Sequence, residues 1–267
     1  MRARLDAAWA TLRRDTAIFL SYRTRVVTTM FSALFSVVLF HFISRLVNAP
    51  SVGTPDEYFG FVVVGLAVLE VLTSVVVLPG TTVRQELVAG TFERLVLSPM
   101  GALGSVMALL LFPFVFSLVS AVVTIGAAAL IFGLDLQWST VWLGPPLLFL
   151  GALSFAPFGI LAVALGMQAQ QVVAGTGFVL AGIAIVSGAY FPPSVLPDWL
   201  GWTYDVQPFS PSIELMRHVL IGQDMSQSVG VALLKLAGAA VVLLPLALWI
   251  LGAALTRARR RGTLLEY

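Results

Sequence analysis

A run of 62 residues, 136–197, contains no Asp, Glu, Lys, Arg or His. One membrane crossing takes about 20 apolar residues, with a range of roughly 17–25, because the hydrocarbon layer is about 30 Å thick. The run is therefore too long for one crossing and suits two. It divides at the polar stretch Met167-Gln168-Ala169-Gln170-Gln171, giving crossings over 142–166 and 172–190. A water-soluble chain could not hide so much uncharged apolar sequence. It would expose patches larger than a soluble monomer tolerates.

The remainder of the sequence agrees. Hydrophobic residues make up 59% and charged residues 10% of 267 positions, against about 25% charged in an ordinary soluble domain. Four more apolar stretches read as spans, at 26–44, 58–78, 103–132 and 236–256. The expectation is an all-α membrane protein with six transmembrane helices, organised as a single domain over 1–267. The absence of cysteine excludes disulfides, thiol nucleophiles and cysteine metal sites. His41 and His218 have no second ligand at metal spacing, so no metal site is expected. The net charge of +2 does not signal nucleic acid, because the arginines flank the spans. An even span count puts both termini on one side. That side holds Arg2, Arg4, Arg13, Arg14, Arg23 and Arg25, then Arg84 and Arg94, then the basic tail at 257–261. These are twelve of the fifteen basic residues. The positive-inside rule makes it the cytoplasmic side of a multi-pass protein, and the tryptophans fall at the span boundaries as an aromatic belt would.

Three segments outside the spans carry most of the information. The arm 1–25 repeats Leu5, Trp9, Leu12, Thr16 and Phe19 at helical spacing, which predicts an amphipathic helix in the cytoplasmic headgroup layer. Segment 83–99 is too charged to enter the bilayer and too apolar for a plain loop. A helix through Ala89, a break at Gly90-Thr91 with Thr91 as the next cap, and a turn ending before Pro99 fit it best. Arg84, Glu86, Glu93 and Arg94 would rim the apolar Leu87, Phe92 and Leu95, either for a cytoplasmic partner or simply where the segment packs on its own span ends. Segment 191–230, on the outside, is punctuated by Pro192, Pro193 and Pro197. Its second helix would be capped by Ser210 with Pro211 first in the helix, and ended by Gly222. Short helices dipping into the outer leaflet and helices lying flat on it both suit this composition.

The order Glu86-x-x-x-Gly90-Thr91-x-Glu93-x-Leu95-x-x-Ser98-Pro99 after a second span resembles the cytoplasmic coupling segment of type-2 ABC exporter permeases. Ser187-Gly188-Ala189-Tyr190-Phe191-Pro192, Leu196-Pro197 and Pro208-x-x-Pro211-x-x-Glu214-x-x-Arg217 resemble the outer segment of the same family, whose branches export drugs, nodulation factors and polysaccharides. The resemblance implies a permease subunit of the bacterial cell membrane with no nucleotide site of its own. It would pair with a second permease, identical or a sister, and sit on cytoplasmic ABC ATPases that carry the ATP and Mg. Coupling would fall to Glu86, Gly90, Thr91, Glu93, Leu95, Ser98 and Pro99, with Arg84 and Arg94 added from their charge. The residues themselves agree on what is missing. The one lysine, Lys235, follows no phosphate-binding glycine loop.

Glu70 is the one carboxylate inside an expected span. Burying it charged costs about 2.5–3.5 kcal/mol on insertion scales. It reads either as a cation or proton site on the transport path or as a hydrogen-bonded glutamate at a subunit seam. An ion-coupled transporter using Glu70 would need charged residues on several facing helices, and the sequence offers this one. The expected substrate is amphipathic, drug-like or lipid-like, with a lipid-linked glycan as the alternative.

Overall fold

A computed structural model describes residues 2–46, 53–166, 172–192 and 196–261. The described chain is helical in the order α1 (Arg2–Ser21), α2 (Arg23–Leu46), α3 (Pro55–Val88), α4 (Phe92–Val96), α5 (Gly101–Phe132), α6 (Gly144–Gly166), α7 (Val172–Val186), α8 (Asp198–Val206), α9 (Phe209–Ile221) and α10 (Val229–Arg261). The glutamines at 168, 170 and 171, Pro193 and the Glu93 side chain lie outside the described residues.

The long helices alternate in direction, so the chain is a bundle with an α4 end and an α9 end. The centre is α3. Its start is strongly specified: Pro55 opens the helix, the Thr54 hydroxyl accepts from the Glu57 N–H, and the Glu57 carboxylate accepts from the Thr54 N–H at 2.7 Å. Its 34 residues make a rod about 51 Å long at 1.5 Å per residue. That exceeds an apolar layer by roughly 20 Å. The expected second span and the first part of segment 83–99 are therefore one helix, and Pro79 lies inside it rather than ending it.

A proline has no N–H to offer the carbonyl four residues back, here that of Val75. Helix α6 comes closest to α3 at this carbonyl. A Cβ on Gly159 would sit 2.1 Å from the Val75 oxygen, so only glycine permits the approach. One apolar core surrounds α3 with residues of α5, α6 and α9, including Val64, Val71, Ala121, Phe155 and Ile213. A second closes the α4 end around Leu87, Val106, Ile160 and Leu251.

Among the described residues five helices are long and apolar enough to cross a membrane: α2, α3, α5, α6 with the short 3-10 turn preceding it, and α10. The stretch expected to make the fifth of six crossings, 172–190, forms α7 only to Val186, 15 residues, or about 22 Å. A tight turn with Gly188 at φ +77° follows. Helix α2 begins at Arg23 after a single intervening residue, Tyr22, so arm and first span meet at a sharp corner. Its outward face leaves Phe31, Phe35 and Phe42 exposed. Tryptophans 9, 138, 142, 199, 202 and 249 are all exposed.

Helix α9 departs from the expectation in two ways. Ser210 is not its cap: the helix begins at Phe209, Pro211 is its third residue, and the fully buried Ser210 hydroxyl accepts from the Gln207 side chain at 3.0 Å. Nor is α9 a surface helix. Phe209 packs on Phe155 and Phe158, halfway along α6, and nearly every residue through Leu220 is buried. Gly222 ends it in the left-handed conformation, as expected.

Candidate functional site

The turn joining α3 to α5 is built by its own sequence. Gly90 takes φ +66°, and nothing lies within 4 Å of where its Cβ would be, so glycine is required by the backbone angle alone. The Gly90 N–H then bonds the Leu87 carbonyl and the Thr91 N–H reaches back to the Glu86 carbonyl, each at 3.1 Å. This double closure satisfies the last carbonyls of α3 and reverses the chain into α4. Phe92 enters the core beside Leu87 and anchors the turn. On the far side, Ser105 of α5 donates to the Leu95 carbonyl and lies 3.1 Å from the Ser98 hydroxyl.

Glu86 ties three elements together. Its carboxylate accepts from the Thr91 hydroxyl and from the Arg14 guanidinium of α1 at 2.7 Å. Thr91 was expected to cap α4. It stands directly before that helix, and its hydroxyl hydrogen goes back to the Glu86 carboxylate of α3. Arg14 also holds Asp15 at 2.8 Å. Desolvation works against the Arg14 guanidinium, but Asp15 and Glu86 outweigh it and leave its pKa raised. For Asp15 desolvation wins, and despite Arg14 its carboxyl is pushed above the usual range. Its folded pKa thus exceeds the unfolded one, so it favours folding at acidic pH and loses that contribution as pH rises past the folded value. Asp15→Asn is therefore expected to leave the neutral-pH melting temperature nearly unchanged. Glu86→Gln is expected to lower it by several degrees, measured on the detergent-solubilised protein.

The residues singled out in 83–99 divide accordingly. Leu87 and Phe92 bury against the bundle itself, and Leu95 is half-buried. Arg84, Val88, Gly90, Arg94, Leu97 and Pro99 are exposed at the tip. Glu86, Thr91 and Ser98 face inward and hold the turn. Arg14 and Ser105 were not singled out, yet each fixes one side of it. An Arg14 that shares a helix with three other arginines carries no signal of its partner 72 residues away.

Glu70 is half-buried between α3 and α5. Its carboxylate accepts from the Ser120 hydroxyl and, at 3.1 Å, from the Thr124 hydroxyl. It borders a cavity of about 480 Å³ beneath α2. His41 is ringed by Phe42, Phe59 and Phe132.

At the α9 end Arg217, expected in the outer segment, is 3% exposed. Its guanidinium donates to the carbonyls of Phe61 at 3.0 Å and of Gly188 and Ala189 at 2.9 Å. It lies 3.3 Å from the centre of the Phe61 ring. Main-chain carbonyls satisfy it, so no acidic partner was needed to bury it. A Cβ on Gly65 would meet the Ala189 oxygen at 2.2 Å, so the site closes only around glycine. Glu214, one turn earlier, accepts from Tyr204 at 2.7 Å and from Ser226 and Gln227. Pro197 caps α8, and Pro192 borders the small cavity beside Arg217.

Comparison with known proteins places these features in a family. The chain is 31% identical to Nodulation protein J of Rhizobium leguminosarum bv. trifolii over 97 residues, 35% of this chain and 37% of that protein. The aligned part therefore spans little more than a third of that relative. The family model described as ABC-2 type transporter matches residues 5–221, from the first turns of α1 to the end of α9. The chain belongs to the ABC-2 type transporter family of membrane permeases.

Proposed function

We propose that this protein is the membrane-spanning permease half of an ATP-driven exporter in a bacterial cell membrane. Family membership implies an ABC ATPase partner. In this reading α7, with the residues before it, makes a sixth crossing, and both termini face the cytoplasm. Helix α1 lies in the inner headgroup layer and α8–α9 re-enter from the outside. Two permeases, identical or sister subunits, stand on two ATPases that bind ATP and Mg. The substrate is amphipathic, drug-like or lipid-like, or else a lipid-linked glycan.

The observation that carries this reading is the Arg14–Glu86–Thr91 knot. It fixes the α3–α4 turn from the inside while Val88, Arg94 and Leu97 stand clear of the bundle. A turn so braced offers a mixed apolar and cationic tip to a groove on another protein, and force applied there reaches α1 and α3 together.

The test is copurification with the partner ATPase and measurement of its hydrolysis in nanodiscs. The chain has no native cysteine, so an Arg94→Cys background reports orientation and should label from the cytosolic side alone. Deleting Gly90–Leu95 is expected to abolish the complex and any permease-dependent hydrolysis while insertion persists. Full coupling after the deletion, or labelling of Arg94→Cys from outside, would sink the proposal.

A further inference from the structure

Helix α2 leans on α3 and α5 loosely enough to leave two cavities that share Thr29, Ala33 and Thr124 along a common border. The first, about 480 Å³, is bordered by Glu70 and hydroxyl side chains of α2, α3 and α5. The second, about 690 Å³, is almost wholly apolar, between Phe19 and Met30 on one wall and Phe116, Val123 and Ile131 on the other. Both fall in the size range of small-molecule sites. Together they form one cleft with a polar chamber and an apolar chamber.

The polar chamber has a defined hydrogen-bonding sense. Thr28 and Thr29 donate their hydroxyl hydrogens to the Arg25 carbonyl, Ser36 donates to Ser32, and Thr73 donates to Leu69. Thr124 and Ser120 spend theirs on Glu70. A hydroxyl has one hydrogen and two lone pairs, so Thr28, Thr29, Ser36, Thr73 and Thr124, five of the seven hydroxyl side chains lining the chamber, present oxygen lone pairs to it, while Ser32 and Ser74 can donate or accept. The carboxylate adds more, and among the described residues no Lys or Arg borders the chamber. A mostly acceptor wall around a carboxylate, with no cation beside it, favours a donor-rich cation over an anion, which would meet like charge.

We propose that this cleft binds an amphiphile with a protonated primary or secondary amine, its ammonium on Glu70 and the surrounding hydroxyl oxygens and its hydrocarbon body in the chamber lined by Phe116 and Ile131. The proposal deepens the permease reading by naming a substrate class. Binding itself needs no ATPase, so the two fail separately: loss of amine binding leaves the coupling turn untouched, and loss of ATPase capture leaves the cleft untouched.

The experiment uses the full chain in zwitterionic-lipid nanodiscs and a diazirine-bearing long-chain primary amine, with crosslinked peptides mapped by mass spectrometry. Saturable labelling is expected within α5 between Phe116 and Ile131. Unlabelled dodecylamine should compete at least tenfold better than dodecyltrimethylammonium, which has no N–H to donate, and dodecanoate should not compete. Glu70→Gln, close to the same shape, should weaken binding about tenfold or more, and Thr29→Val should weaken it while leaving the Glu70 pairing intact. Equal competition by the quaternary or carboxylate analogue would overturn the proposal. So would unchanged binding in both variants, or no saturable labelling because bilayer lipid or a second copy of the chain fills the cleft.

Discussion

Arg217→Met is expected to lower the yield of folded, monodisperse protein severely and to drop its melting temperature by ten degrees or more. Arg217 is what satisfies the carbonyls of Gly188 and Ala189, which lie in the turn after α7 beyond the helical ladder. Removing the donor leaves both buried. An orphaned buried polar group costs about 1–3 kcal/mol, and a whole domain is typically held by only 5–15 kcal/mol. Arg217→Lys should recover part of the loss. A lysine is a point charge without the planar fork that reaches Phe61 and the turn at once. Size-exclusion profiles and tryptophan-fluorescence melts of the detergent-solubilised protein measure this, and a methionine variant that melts like the parent would refute it.

The second large effect is expected at Gly159. A side chain there meets the Val75 oxygen at 2.1 Å, and this is backbone, which cannot rotate away. Gly159→Val must push α6 off α3, opening the core around Phe155 and Val71. Overpacked cores lose typically 1–3 kcal/mol, occasionally more, and a displaced helix pair belongs at the upper end. Gly166, at the end of the same helix, has nothing within 4 Å of its missing Cβ, so Gly166→Ala should be neutral. Parallel melts of the two variants, with similar values, would show that close approach at Gly159 is not what holds α3 and α6 together.

The parts of this architecture readable in the sequence are those where one residue type alone satisfies a local need. The chain reversal at Gly90 and the end of α9 at Gly222 both use positive φ, which glycine tolerates and others resist. The apolar runs behind α2, α3, α5, α6 and α10 were visible for a similar reason, because lipid admits few charges. Arg217 was not visible in its role, because its partners are carbonyls, which every residue carries. The expected second span stopped at 78, one residue before Pro79, which the structure places inside α3. Inside a bundle the carbonyl it frees can be covered by a neighbour, as Gly159 covers Val75. The Glu70 partners were hidden by sequence distance. Ser120 and Thr124 stand one helical turn apart on α5, a spacing that makes a hydroxyl pair legible once an acid is known to face it.

The Gly159–Val75 contact has a mechanical meaning. It sits where the hydrogen-bond ladder of α3 lacks a rung, so it serves as a fulcrum for that long rod. From Val75 the rod extends about 20 Å to Val88 and about 30 Å to Pro55 at 1.5 Å per residue. Any rigid tilt about this pivot moves the Pro55 tip about one and a half times as far as the Val88 tip, and in the opposite direction. The lever gains travel on its Pro55 arm, where Phe61 and Gly65 grip Arg217.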